Sequence, residues 1–217
     1  MAEVKNIIVG GAKVFIGAAS SDDTAFIGDA ATYTVGGADS VSNAQSVAGV
    51  AGKGVQKNYT EIGFTTDGID LSIEPEYSDV EVDQLLDSAI LFKTSQKVSF
   101  GTTLAEGTLV NLARAIGQAD STVDATSGYD AAGETKVLGI RGGSLGEFPS
   151  ERGIVAVANG PRHATLRSER VFEVFRAISV ESVGVSVKRN EVTAFPVTFR
   201  CLPAGSTYMK IADRLYT

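Results

Sequence analysis

The sequence predicts a mainly β fold: a single-domain β-sandwich or barrel with one flanking α-helix. Three observations predict it. Apolar residues recur with a period of two in several runs, as at Val98, Phe100, Thr102 and Leu104, the pattern of a strand with one buried face. The composition combines 24 Gly with many Val, Thr, Ser and Ile, two Met and no Trp, which favours strands and turns over helices. Helical spacing is clear in one place alone, residues 105–116.

A chain of 217 residues can bury roughly 70% of its unfolded surface. With 43% hydrophobic and 21% charged residues it has the makings of a folded core and not of a disordered chain. Residues 1–217 therefore read as one domain. No apolar run approaches the roughly 18 residues of a membrane helix. The opening MAEVKNIIVGG lacks the core and cleavage site of a signal peptide, so synthesis in the cytoplasm is the expectation.

In chain order, Asn6–Ile16 reads as a first strand interrupted by glycine, and Thr32–Val35 as a short second one. Residues 36–56 are rich in Gly, Ala, Ser and Val without any period, the composition of a long flexible insertion. Ile62 and Phe64, then Ile69, Leu71 and Ile73, alternate with polar residues on either side of Asp67-Gly68, which predicts a β-hairpin with an acidic polar face. An acidic excursion follows over 74–87, and a strand restarts by Lys97–Leu104. Thr103 and Glu106 have capping-box spacing. They predict a helix whose apolar face is Ala105, Leu109, Leu112, Ala113 and Ile116, stopped at Gly117. Residues 118–135 read as a second flexible insertion. Val137–Ile140, Ile154–Ala158, Arg170–Glu181 and Val185–Leu202 read as four more strands, the last at an edge or bulged because of Pro196.

Charge is unevenly spread. Residues 58–92 hold nine acids and no Lys or Arg, whereas 136–217 hold twelve basic against seven acidic residues. A split of this kind suits head-to-tail association of copies; a merely solvated acidic surface suits it as well.

Catalytic chemistry finds little support. The glycines at 139, 142, 143 and 146 do not make a dinucleotide fingerprint, and Gly52-Lys53-Gly54 lacks the rest of a phosphate loop. His163, the one histidine, has no acid or nucleophile at fixed spacing and reads as a surface-loop residue. Cys201 reads as a buried, inert thiol. The acids Glu74, Glu76, Asp79, Glu81 and Asp83 lack the glycine and spacing of a calcium loop. Arg162, Arg167, Arg170 and Arg176 are interleaved with Glu169 and Glu173, which disfavours a nucleic-acid groove and suits ion pairs between subunits. No enzyme activity, cofactor or metal is expected.

Four stretches carry a resemblance: Tyr59–Gly68, Glu74–Gln84, Lys97–Leu112, and Lys188-Arg189-Asn190-Glu191 leading into Phe195-Pro196-Val197. Together with the order of elements, they resemble the major tail tube proteins of long non-contractile-tailed bacteriophages. The resemblance implies subunits in rings of six whose strands join into a continuous inner β-barrel, the rings stacking into the conduit for double-stranded DNA. It implies the tape measure, tail terminator and baseplate proteins as partners, DNA that passes without specific binding, no membrane, and residence in the virion tail after assembly in the host bacterial cytoplasm. On this reading Glu61, Asp70, Ser72 and Glu74 face the lumen, where acids repel a polyanion. Glu76, Asp79, Glu81 and Asp83 meet a neighbouring subunit, with Arg167, Arg170, Lys188 and Arg189 on the opposing surface. A head decoration or tail-completion protein is the alternative within virions. A β-sandwich carbohydrate-binding or adhesin module is a further alternative, disfavoured by the lack of Trp.

Overall fold

The structure, a computed structural model, describes residues 11–21, 59–80, 90–120, 123, 135–140, 142, 149–185, 189 and 193–216. Among these residues eight strands and one helix follow in the order β1 (Ala12–Ala18), β2 (Tyr59–Glu61), β3 (Thr65–Val80), β4 (Ile90–Leu104), α1 (Leu109–Ala115), β5 (Arg152–Asn159), β6 (Arg167–Ser179), β7 (Phe195–Leu202) and β8 (Met209–Tyr216). The fold is mainly β, as the sequence predicts. All the strands belong to one antiparallel sheet ordered β2-β1-β5-β6-β7-β4-β3. β8 also pairs with β6, over Arg167–Val174, and takes up the lane that β7 leaves at Leu202.

Chain connectivity bends this sheet. Laid flat, the order would hold β2 and β3 about 29 Å apart, at ~4.8 Å per strand. The four Cα steps from Glu61 to Thr65 reach at most ~15 Å. The sheet therefore curls, and β3 comes into contact with β1. Inside the curl lies the core of Val14, Ile16, Val98, Phe100, Leu104, Ile154, Val174, Val197 and Phe199, all nearly inaccessible. β5 is buried along Arg152–Val157 on both faces, which is why its continuous apolar run carries no alternation.

Several sequence expectations need correction. Ile62 and the Ile69–Ile73 run do not form a hairpin. β2 pairs with β1, opposite Phe15–Gly17, while Asp67 and Gly68 are a two-residue bulge inside the single long strand β3. Both take left-handed backbone, at φ 63° and 70°, which suits a bulge as well as a tight turn. The Thr102 hydroxyl donates to the Gly68 carbonyl at 2.8 Å and pins the bulge. The acidic stretch from Glu74 to Val80 is not an excursion but the far half of β3, paired with β4 out to Val80↔Ile90.

The helix begins later than predicted. β4 holds Thr103 in its ladder, so the cap falls to Thr108, whose hydroxyl accepts the Asn111 N–H at 3.2 Å. Glu106 instead accepts the Phe64 N–H at 3.2 Å. α1 buries Asn111, Ala113, Arg114 and Ala115, and Leu112 packs half-buried against the core, so Leu112 and Ala113 of the predicted apolar face do turn inward while the polar Asn111 and Arg114 are buried beside them. Gly117 does end the helix, at φ 75°. Val137–Ile140 is not a strand: Leu138 makes an isolated bridge to Val123, and Val137 and Ile140 are exposed.

β7 starts at Phe195, ten residues after the expected Val185. It lies inside the sheet, between β6 and β4. Pro196 is tolerated because β6 ends opposite Phe199, leaving Pro196 a strand neighbour on the β4 side alone. The predicted strand at Thr32–Val35 and the insertion at 36–56 lie outside the described residues, as does most of 118–135.

Candidate assembly surface

β3 and β4 form the longest ladder in the sheet, and their distal halves stand clear of the core. Opposed residues in an antiparallel pair share a face. One face therefore reads Asp70↔Gly101, Ser72↔Ser99, Glu74↔Lys97 and Glu76↔Ser95. Along it the Ser72 hydroxyl donates to Glu74 Oε1 at 3.0 Å, Ser95 donates to Glu76 Oε2 at 2.6 Å, and Lys97 lies 3.8 Å from Glu74. Asp70, Glu74 and Glu76 are exposed. At ~3.4 Å per residue the row from Asp70 to Glu76 is about 20 Å long. It sets three carboxylates against the Lys97 ammonium, and Arg200, exposed on the same face opposite Ser99, adds a second cation, which leaves a hydrated surface with an excess of one negative charge.

Beyond Glu76 the register shifts and the surface becomes apolar. Tyr77, Val80, Ile90, Leu91 and Phe92 are 42–65% exposed. So concentrated an apolar tip on a two-stranded arm is a contact surface in search of cover.

The structure brings Asp70, Ser72 and Glu74 together, as expected, and adds Glu76, which the sequence reading grouped elsewhere. Glu61 is not part of this row: it lies on β2 opposite Phe15, outside the β3–β4 ladder. Asp79 sits across from Leu91 on the arm's other face. Arg170 is paired within the chain, to Asp213 at 2.5 Å, which holds the Asp213 carboxyl below its usual range through a hydrogen bond from Arg170. Arg167 and Arg189 are exposed. Glu81, Asp83 and Lys188 lie outside the described residues.

The base of the arm is fixed by groups the sequence reading missed. Asn111 on α1 donates to the carbonyls of Ile62 at 3.0 Å and Glu106 at 3.2 Å, fastening the link that carries the chain from β2 to β3. Gly63 in this link has φ 81°, and a Cβ there would run into the Glu106 carboxylate. Next to Asn111, Arg114 and Arg152 converge on Asp120. Arg114 Nη2 reaches Asp120 Oδ2 at 2.8 Å and Arg152 Nη1 reaches Oδ1 at 2.8 Å, and Arg152 also donates to the Gln118 carbonyl. Burial pushes the Asp120 carboxyl upward, but the hydrogen bonds and charges of the two guanidiniums outweigh it and hold the group below its ordinary value. An arginine within an apolar helical run, as Arg114 is, was the available signal.

A cleft of about 640 Å³ opens between the arm and β8, lined by Ile73, Val98, Gln96, Tyr208, Met209 and Ile211 among others. It exists because β4 leaves the sheet beyond Ser99, where its pairing with β7 ends, and β8 has no strand on that side. The Tyr208 hydroxyl donates to the Gln96 carbonyl at 3.3 Å across it.

Elsewhere, His163 lies in an exposed loop, its Nδ1 accepting the Leu166 N–H at 3.2 Å. Cys201 is buried, and burial pushes its thiol up to about 12. Tyr59 donates to Glu173 at 3.5 Å, and its hydroxyl is raised, first by burial and then by the Glu173 charge. Among the described residues no three His, Cys, Asp or Glu side chains group to hold a metal ion, and no helix is long and apolar enough to cross a membrane. No family model matches the sequence, and no curated protein is found similar to it.

Proposed function

We propose that the protein is a structural, self-assembling subunit of a bacteriophage tail tube. On this reading it forms rings of six, strands of neighbouring subunits continue into a common inner β-barrel, and stacked rings make the conduit for double-stranded DNA. The acidic row Asp70–Glu76 on the exposed face of the β3–β4 ladder carries the reading. Placed on the lumen wall, it repels the phosphate backbone and lets DNA slide. The apolar tip and the strands left unpaired on one side support an assembling role, since in a lone subunit both are liabilities. The tape measure, tail terminator and baseplate proteins would then be its partners, the virion tail its final location and the host cytoplasm the site of assembly. The role is architectural, with no catalytic step and no cofactor.

Negative-stain imaging of the purified protein across a range of concentrations tests this. Six-fold rings or hollow tubes are the expected result. Discrete shells would indicate a head protein, and monomers at every concentration and salt would refute the reading.

A further inference from the structure

Three strands in the described sheet are hydrogen-bonded on one side only over their length: β2 to β1, β3 to β4, and β8 to β6; β2 spans three residues, which leaves β3 and β8 as the long free edges. Their free edges differ in character. β3 carries Glu74, Glu76, Asp79 and Pro75, and pairing it with the same strand of another copy would set acid against acid. β8 carries Lys210, Asp213 and Arg214; Asp213 is already paired with Arg170 and Arg214 is buried, so the strand presents no unneutralised acid to an incoming acidic strand. Acids and proline on an edge discourage self-pairing and leave a strand without an excess of acid as the permitted partner.

The apolar residues agree. Ile73 and Tyr77 on β3 are four apart and 53% and 56% exposed; Ile211 and Leu215 on β8 are four apart and 49% and 44% exposed. Residues four apart on a strand share a face, so the two pairs superpose when the edges run side by side. The arm–β8 cleft gives the incoming strand room, with Met209 and Val98 as its apolar floor.

We infer that the free edge of β3 in one copy pairs with the free edge of β8 in the next, covering the cleft and continuing the sheet from chain to chain. The contact joins different surfaces of identical copies, so it propagates head to tail and closes into a ring where the rotation allows. The inference deepens the tube reading by naming the contact, and rests on it for taking the partner to be a second copy.

The test uses two preparations of the full chain, one with Tyr77→Cys and one with either Ile211→Cys or Leu215→Cys, distinguished by a mass tag. Only mixed dimers between chains report the contact, and the buried Cys201 does not compete. Under mild oxidation the mixture should give mixed disulfide dimers at roughly ten times the yield of Tyr77→Cys mixed with Phe64→Cys, since adjacency raises the effective thiol concentration above that of chance encounters. Phe64 is 80% exposed and is not among the residues that line the cleft. Cross-linking in preparations that image as six-fold rings supports both the contact and the tube reading. Cross-linking without six-fold rings upholds the contact and sinks the tube reading. Rings without cross-linking at either β8 position overturn the contact and leave the tube reading standing. Ile211→Lys, at a half-exposed site and checked for an unchanged circular dichroism spectrum, should abolish assembly; normal assembly by that variant would also overturn the inference.

Discussion

Replacing Asp120 by asparagine removes the one carboxylate shared by two buried guanidiniums while keeping its shape. The side chains of Arg114 and Arg152 are 4% and 9% exposed, and that of Asp120 is 42% exposed. Stripping the counter-ion from a buried charge costs about 3–5 kcal/mol. Because Asp120 is open to water on one side, screening reduces its part, and about 2–3 kcal/mol is the reasoned figure. For a domain of this size each kcal/mol moves the midpoint by about 2–4 °C, so the Tm of the free subunit should fall by roughly 4–12 °C. The effect must also depend on pH in a defined direction. The folded-state pKa of Asp120 is lowered from 3.8, so the stabilisation is fully present above the ordinary carboxylate range and is lost as pH falls through the lowered folded value. Calorimetry of parent and variant between pH 7 and pH 3 should show a gap that is full at neutrality and narrows as pH falls below the ordinary carboxylate range. A gap below ~1 °C at pH 7, against the 2–4 °C per kcal/mol scale, or one unchanged at pH 3, would refute the clamp.

Two further outcomes are expected. Gly63→Ala should destabilise by about 1–2 kcal/mol from left-handed backbone alone, and by more because the new Cβ meets Glu106, whereas Gly142→Ala, with open space around it, should stay within about 0.5 kcal/mol; chemical denaturation compares them. Asp70→Lys with Glu74→Lys should leave the fold and rings intact, since exposed pairs such as Glu74–Lys97 are worth about 0–1 kcal/mol, yet make assembled tubes retain DNA in a salt-dependent way, whereas Asp79→Lys with Glu81→Lys and Asp83→Lys should block ring formation; DNA release kinetics and imaging decide, and equal behaviour of the two sets would show that the acids are only a solvated face.

What the sequence made legible follows burial. The run from Val98 to Leu104 alternates cleanly because one face meets the core and the other does not, and the Ile154–Ala158 run is plain because both its faces are covered. β8 was missed because its pattern is inverted. Ile211 and Leu215 are exposed while Arg214 is 8% exposed, so apolar character there marks an edge of the cleft and not a core-facing stripe. The Asp67-Gly68 pair could not be assigned because the same left-handed backbone serves turns and bulges; pairing across Thr102 and Thr103, a long-range fact, decides between them. The cap moves from Thr103 to Thr108 because β4 extends through Leu104 and keeps Thr103 in its ladder, a long-range pairing that local spacing does not report. The acidic row was legible as Asp70, Ser72 and Glu74. Glu76 joins it because β3 runs on past Pro75, and Glu61 leaves it because it sits on β2, paired with β1 and outside the β3–β4 ladder.

The arm's exposed tip also bears on how assembly would proceed. Fully burying a large apolar side chain gains about 1.5–3 kcal/mol. Tyr77, Val80, Ile90, Leu91 and Phe92 are roughly half exposed, so covering all five offers about 4–7 kcal/mol. Bringing two free subunits together costs an estimated 4–15 kcal/mol in lost translation and rotation. One such contact therefore barely offsets that cost, and an isolated pair should not persist. Ring closure changes the balance, because the last contact joins two ends already tethered and incurs no further loss of translation. Under the proposed head-to-tail contact, intermediates should be scarce, with free subunits and closed rings dominating on either side of a concentration threshold. Sedimentation velocity across that threshold should resolve two boundaries, and a ladder of stable dimers and trimers would contradict the weak-contact arithmetic.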